Sequence, residues 1–237
     1  MSRLPILMYH NITQCDSDSN ELTISLSKFE AQLKYLKDKS YHTYFVSDLI
    51  DNQTILNKTV VLTFDDVTEN QLHYALPLLK KYNMKATFFI PFSYLGKTDL
   101  WNVGTEKIMS VDQLKSLDSD VIELAHHSYY HRKYSTLSPV EIQKDLDDCF
   151  EFISKNNLNV SPAIAYPYGD YPKIGEAKSH FFQILEKNNI KMAFRIGNRV
   201  NQFPFKNIYE VQRIDIKGGD SLFAFKMKLR LGKLRLF

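Results

Sequence analysis

The stretch Thr59-Val60-Val61-Leu62-Thr63-Phe64 reads as a strand, and it runs directly into two adjacent carboxylates, Asp65-Asp66. Six other runs share its β-rich, apolar character: Leu4 to Tyr9, Ala86 to Ile90, Val121 to Ala125, Ala163 to Tyr166, Met192 to Ile196 and Tyr209 to Ile214. Amphipathic segments fill the intervals. Ser27 can cap a helix that carries Phe29, Leu33 and Leu36 on one face. Ser138-Pro139-Val140-Glu141 joins an N-cap Ser, a Pro at the first helical position and a Glu three residues after the cap, which predicts a helix through about Asn156. Further helices are expected from about Glu69 to Tyr82, Ser110 to Leu117, Lys173 to Asn188 and Ser221 to Lys228. Strands alternating with helices imply parallel pairing, and about seven such units make a closed or nearly closed (β/α) barrel. No internal repeat is visible. Three stretches without a clear period, 11–24, 92–109 with the sole tryptophan Trp101, and 197–207, read as loops near the mouth of the fold.

Composition bounds the rest. A chain of 237 residues with 44% apolar content suits one α/β domain spanning 1–237. Its 30 basic against 27 acidic residues exclude a nucleic-acid partner unless the basic residues cluster, and they do so only at the C-terminus. Cys15 and Cys149 follow no C-x-x-C spacing, so neither a disulfide framework nor a thiolate zinc site is expected. The opening Met1-Ser2-Arg3 and the apolar run to Tyr9 carry no small-residue cleavage pattern, and no run has the roughly 18 apolar residues of a spanning helix. A cytoplasmic location is the expectation.

In a (β/α) barrel the chemistry stands at the C-terminal strand ends. Here those ends offer Tyr9-His10, Asp65-Asp66, His126-His127 and Tyr166-Pro167-Tyr168-Gly169. A lone Asp after a strand is most often the N-cap of the next helix. Two adjacent ones at a buried strand end need a cation or a proton to relieve their repulsion. His127 and His131, four apart, can face one ion from one helical turn; with a strand-end Asp they make a three-ligand set with a position open for water, as catalytic zinc requires. His126 would point the other way, into packing. The Tyr166–Gly169 stretch is a turn whose backbone N–H groups can face a developing oxyanion. His10 alone would pass for a structural histidine.

Together these residues resemble the polysaccharide deacetylase family, also called carbohydrate esterase family four or the NodB-homology group. Thr63-Phe64-Asp65-Asp66-Val67 is similar to its T-F-D-D-G motif, His127-Ser128-Tyr129-Tyr130-His131 to H-[ST]-x-x-H, and Ala165-Tyr166-Pro167-Tyr168-Gly169 to R-x-P-Y-G. The opening Pro5 to His10 resembles circularly permuted members, in which an L-x-Y-H segment supplies the catalytic histidine. The resemblance covers about 4–216 and implies a distorted (β/α) barrel. It also implies metal ligands Asp66, His127 and His131, general base Asp65, general acid His10 and an oxyanion donor at Tyr168, with a divalent ion, zinc first, as cofactor.

Tyr166, Pro167, Trp101 and Arg213 are expected beside the substrate. Two positions depart from the pattern: Val67 for Gly, expected to narrow the space beside the metal, and Ala165 for the Arg that orients the base. Arg213, at the end of a late strand, could substitute for that Arg by approaching from another side; otherwise it is a surface or interstrand ion-pair residue.

The implied activity is removal of N-acetyl groups from an amino-sugar glycan or a lipid-linked sugar precursor. O-acetyl ester or small cyclic-amide hydrolysis at the same site, and a non-catalytic glycan binder, are the alternatives. The basic tail at about 226–237 is expected to pack its apolar side on the barrel; the second expectation for it is peripheral contact with an anionic membrane.

Overall fold

The computed structural model describes residues 2–232, and these form the expected barrel. Its seven strands are β1 (Ile6–Tyr9), β2 (Thr59–Asp65), β3 (Ala86–Ile90), β4 (Ile122–His126), β5 (Ser161–Ala165), β6 (Met192–Ile196) and β7 (Val211–Asp215). All pair in parallel, in the order β1-β7-β6-β5-β4-β3-β2, and β2 pairs back onto β1 through Ile6↔Val61 to Tyr9↔Phe64, which closes the ring. A further parallel strand, His42–Tyr44, lies on the first half of β2 outside the ring.

The period of two along each strand divides the core. Ile6, Val61, Phe89, Ala125, Ala163, Ala165, Phe194 and Val211 fill the barrel interior. The alternate residues, among them Leu7, Tyr9, Leu62, Phe64 and Phe88, pack outward under the helices. Those helices are α1 (Leu26–Asp38), α2 (Val46–Asp51), α3 (Leu76–Tyr82), α4 (Val111–Lys115), α5 (Pro139–Asn156), α6 (Gly175–Lys187) and α7 (Leu222–Leu231). Ser138 and Glu141 form the reciprocal capping box at the start of α5.

Several expectations need correction. The first strand breaks at Pro5, which has no N–H to give a ladder. Ser2–Leu4 turns away to pair antiparallel with Asn201–Phe203, inside what reads as a loop. The cap of α1 is Ser25, which accepts from Lys28 N–H, while Ser27 binds Asp16. The helix expected from Glu69 begins as a π-helical turn at Gln71–Ala75 and becomes α3. The loop at 11–24 contains two short parallel strands, Asn11–Thr13 and Thr23–Ser25. In the tail, α7 buries Phe225 and Leu229, with Phe225 edge-on to Tyr35 of α1; residues 233–237 lie outside the described residues. Among the described residues no helix is long and apolar enough to cross a membrane.

Candidate active site

The inward-facing side of each strand continues past its end, so the last inward residues meet at one rim. On β1 the alternation Ile6, Met8 leads to His10; on β2, Val61 and Thr63 lead to Asp65; on β4, Ala125 leads to His127. The β1–β2 register sets Tyr9 beside Phe64 and brings His10 Nε2 to 3.7 Å from Asp65 Oδ2. On β7, Val211 and Arg213 share the inward side. Arg213 is fully buried, and its guanidinium forks onto Asp65 with Nη1–Oδ1 at 2.5 Å and Nη2–Oδ2 at 2.7 Å.

Arg213 therefore reaches the base from β7, which flanks β1 on the side opposite β2, and supplies the partner that Ala165 on β5 does not. It is not a substrate contact, because no part of it is open to the cleft. Burial by itself would raise the Asp65 carboxyl; the Arg213 guanidinium, helped by His127 and His10, outweighs burial and holds it well below the usual carboxylate range.

Asp66, His127 and His131 present one ligand atom each within 4.8 Å of one another. Asp66 Oδ1 stands 3.6 Å from His127 Nε2 and 3.4 Å from His131 Nε2. The edges of a tetrahedron with bonds of about 2.0–2.1 Å are about 3.3 Å long, so these separations suit atoms sharing an ion. Asp66 Oδ1 is buried with no hydrogen-bond partner, which fits an oxygen that ligates a cation.

His127 Nδ1 lies 2.8 Å from the carbonyl of Ala165, which can only accept, so the proton sits on Nδ1 and the Nε2 lone pair is free. Burial pushes His127 down to about 4, which leaves it neutral, the form that binds metals. The three residues thus fit a divalent ion.

The two histidines do not share a helical turn. They flank an irregular loop in which Ser128 (φ 66°) and His131 (φ 52°) are left-handed. His126 points away, edge-on to Phe92 and Phe150, in the packing position expected of it. Val67 is fully buried in the main apolar core instead of standing open beside the ligands, and it keeps a left-handed φ of 46° that glycine would adopt freely.

Of the residues expected beside the substrate, Trp101 stacks on His131 with ring centroids 4.3 Å apart, and Tyr168 meets the same ring edge-on at 4.9 Å. Tyr168 is 48% exposed and left-handed (φ 59°) at the tip of its turn. Tyr166 is a correction: it is fully buried against Tyr134, Tyr171 and Phe181, and its hydroxyl donates to the Tyr209 carbonyl. Pro167 is likewise buried, forming the turn and not the cleft wall.

Gln71 was not foreseen. From the π-helical turn its amide donates to the carbonyls of both His10 (2.9 Å) and Asp65 (2.6 Å), tying two strand ends together. Asp215 was also missed. It follows Arg213 on the inward side of β7 and keeps Oδ1 buried and unpartnered.

The family model of polysaccharide deacetylases matches residues 52–179. The chain is similar to the Bacillus subtilis protein YxkH, 31% identical over 174 residues that make up 72% of this chain but only 58% of YxkH. It is also similar to the poly-β-1,6-N-acetyl-D-glucosamine N-deacetylase of Staphylococcus aureus, 26% identical over 232 residues, covering 88% of this chain and 77% of that one.

Among solved structures, the Streptococcus pyogenes deacetylase PplD, in complex with acetate, superimposes with a TM-score of 0.78 at 24% identity, over 96% of this chain and 98% of that one. IcaB from Ammonifex degensii gives 0.77 at 21% identity, over 97% and 98%. These two share the barrel. With more than half of its length matched by the family model, and the motif residues gathered at one rim, the chain belongs to the polysaccharide deacetylase family.

Proposed function

We propose that this chain is a metal-dependent hydrolase that removes N-acetyl groups from an amino-sugar glycan and releases acetate. The observation that carries the reading is the placement of Asp65. It is gripped by Arg213 on its inner side, and its Oδ2 lies 3.7 Å from His10 Nε2 and 3.8 Å from His127 Nε2, at the edge of the ligand set.

A divalent ion held by Asp66, His127 and His131 would supply polarisation of the acyl carbonyl and a water of lowered pKa. Asp65 takes the proton from the attacking water as the acyl carbon becomes tetrahedral. Arg213 keeps that carboxylate ionised and fixed in plane, so no reorganisation is needed at the moment of transfer. The backbone N–H of Tyr168 donates to the developing oxyanion. His10, across from Asp65, gives its proton to the amino-sugar nitrogen as the C–N bond breaks. Trp101 and Tyr168 form aromatic walls against which an apolar sugar face can rest.

Acetate release tests the bond. Incubated with oligomers of N-acetylated amino sugars, with O-acetylated glycans and with small cyclic amides, the zinc-loaded protein is expected to liberate acetate from the first and leave a free amine. Turnover confined to the esters or the cyclic amides would reject N-deacetylation. The S. aureus relative, named for a poly-N-acetylglucosamine substrate, makes β-1,6-linked N-acetylglucosamine oligomers the first to try.

A further inference from the structure

The turn between the two histidines of the candidate metal site carries local strain. Ser128 and His131 both lie in the left-handed region, which residues other than glycine keep only where surrounding contacts dictate it. One set of contacts holds the carbonyls of this turn: Ser128 O accepts from Phe92 N–H at 3.3 Å, and Tyr129 O accepts from Ser93 N–H at 3.0 Å. A single side chain holds its two middle amides. Asp145, on α5, accepts from Tyr129 N–H at 3.0 Å and from Tyr130 N–H at 3.2 Å, and the Tyr134 hydroxyl donates to it at 3.0 Å.

Asp145 is fully buried. Burial pushes its carboxyl above the usual range despite these three donors. The neighbouring cation Arg132 is the weakest of the groups that lower it, and its guanidinium pairs with Glu141 at 3.6 Å. A buried carboxylate without a close cation is costly, and an apolar residue on that face of α5 would avoid the cost. What the carboxylate provides is two acceptor oxygens for two consecutive amides, which no apolar side chain can supply.

We propose that Asp145 is a positioning residue for the metal site: by holding the Tyr129 and Tyr130 amides it fixes the turn that aims His127 and His131 at the same point beside Asp66. The inference rests on the reading of Asp66, His127 and His131 as ligands. Besides the carbonyl bonds from Phe92 and Ser93, the Tyr94 hydroxyl donates to Tyr130 O at 3.5 Å and His131 N–H donates to Ser128 Oγ at 2.8 Å, but neither holds the Tyr129 or Tyr130 amide. With Asp145 gone, the Tyr129 and Tyr130 amides, both at part-buried bonds, lose their acceptor, and the turn is free to unwind and carry His131 away from His127.

Asp145→Asn keeps the volume but offers one acceptor oxygen where two amides need two. Zinc affinity, measured by competition with a chromogenic chelator, is expected to fall about 10–100-fold, the range seen when residues that orient metal ligands are replaced. The metal-free variant should still unfold cooperatively. Tyr134→Phe removes a donor to Asp145 and leaves both amide bonds, so it should keep zinc affinity within about twofold of wild type.

Amide hydrogen exchange on the unmutated protein gives a second reading that needs no variant to fold. The Tyr129 and Tyr130 amides are expected to be strongly protected even without metal, and exchange at the rate of an open loop overturns the proposal. Equal zinc affinity in wild type and Asp145→Asn overturns the role of Asp145 alone. A wild-type chain that takes up no zinc overturns the ligand reading, and this proposal with it.

Discussion

Asp65→Asn is expected to lower the rate of deacetylation by about 10²–10⁴-fold while leaving the metal content unchanged. The amide has the shape of the carboxylate but cannot take a proton from water. The three ligand atoms belong to Asp66, His127 and His131, none of which the substitution touches. The change also strips the buried Arg213 guanidinium of its bidentate partner, so the variant should unfold earlier than wild type. Turnover of an N-acetylated oligosaccharide, read beside elemental analysis of the same sample, separates the two effects. A variant that turns over at a rate near that of wild type would refute Asp65 as the base.

The second large effect is expected at Arg213. Arg213→Met removes a cation that is wholly buried and leaves Asp65, itself 2% exposed, as an uncompensated charge in the barrel. Breaking a buried pair from one side costs about 3–5 kcal/mol, and denaturant unfolding should read a loss of that order. Activity should fall as well, because Asp65 would lose the partner that keeps it ionised and oriented. Arg213→Lys is not expected to restore either property, since a single ammonium cannot make two parallel bonds to one carboxylate. The double variant Asp65→Asn/Arg213→Met, with both charges gone, should be more stable than the sum of the two losses predicts. Strict additivity would contradict the direct coupling of the pair.

The barrel was legible because its signals are local. Each strand is a short apolar run, α5 announces itself with Ser138 and Glu141, and the parallel pairing follows from the alternation of elements. Metal-ligand candidates were legible for the same reason: Asp66 and His127 directly follow strand ends, and His131 stands four residues after His127 in a recognisable spacing, although an irregular loop and not a helical turn joins the two. What escaped was set by tertiary packing. Pro5 ends a ladder that apolar character alone would continue. Tyr166 sits in a motif that points to substrate, yet the pleat turns it outward under α5 and α6.

Gln71 lies in a stretch that reads as an ordinary amphipathic helix, and nothing nearby in sequence shows that a π-helical turn swings its amide onto two strand ends. Asp145 stands in Asp145-Leu146-Asp147-Asp148, which looks like a solvated acidic face; only the position of α5 against the loop after β4 reveals one of the three as buried. Arg213 and Asp215 could have been read as an inward pair from the period of two along β7. The distance of that strand from β2 in sequence hid that the two flank β1.

The most direct test of the account is the metal itself. Purified wild-type protein, dialysed against zinc and then buffer, should retain one ion per chain by elemental analysis, and His127→Ala should lose it, because Asp66 and His131 alone leave the ligand set incomplete. Wild-type protein that holds no metal after exposure to zinc, or a His127→Ala variant that holds as much as wild type, would contradict the site on which the proposed hydrolysis depends.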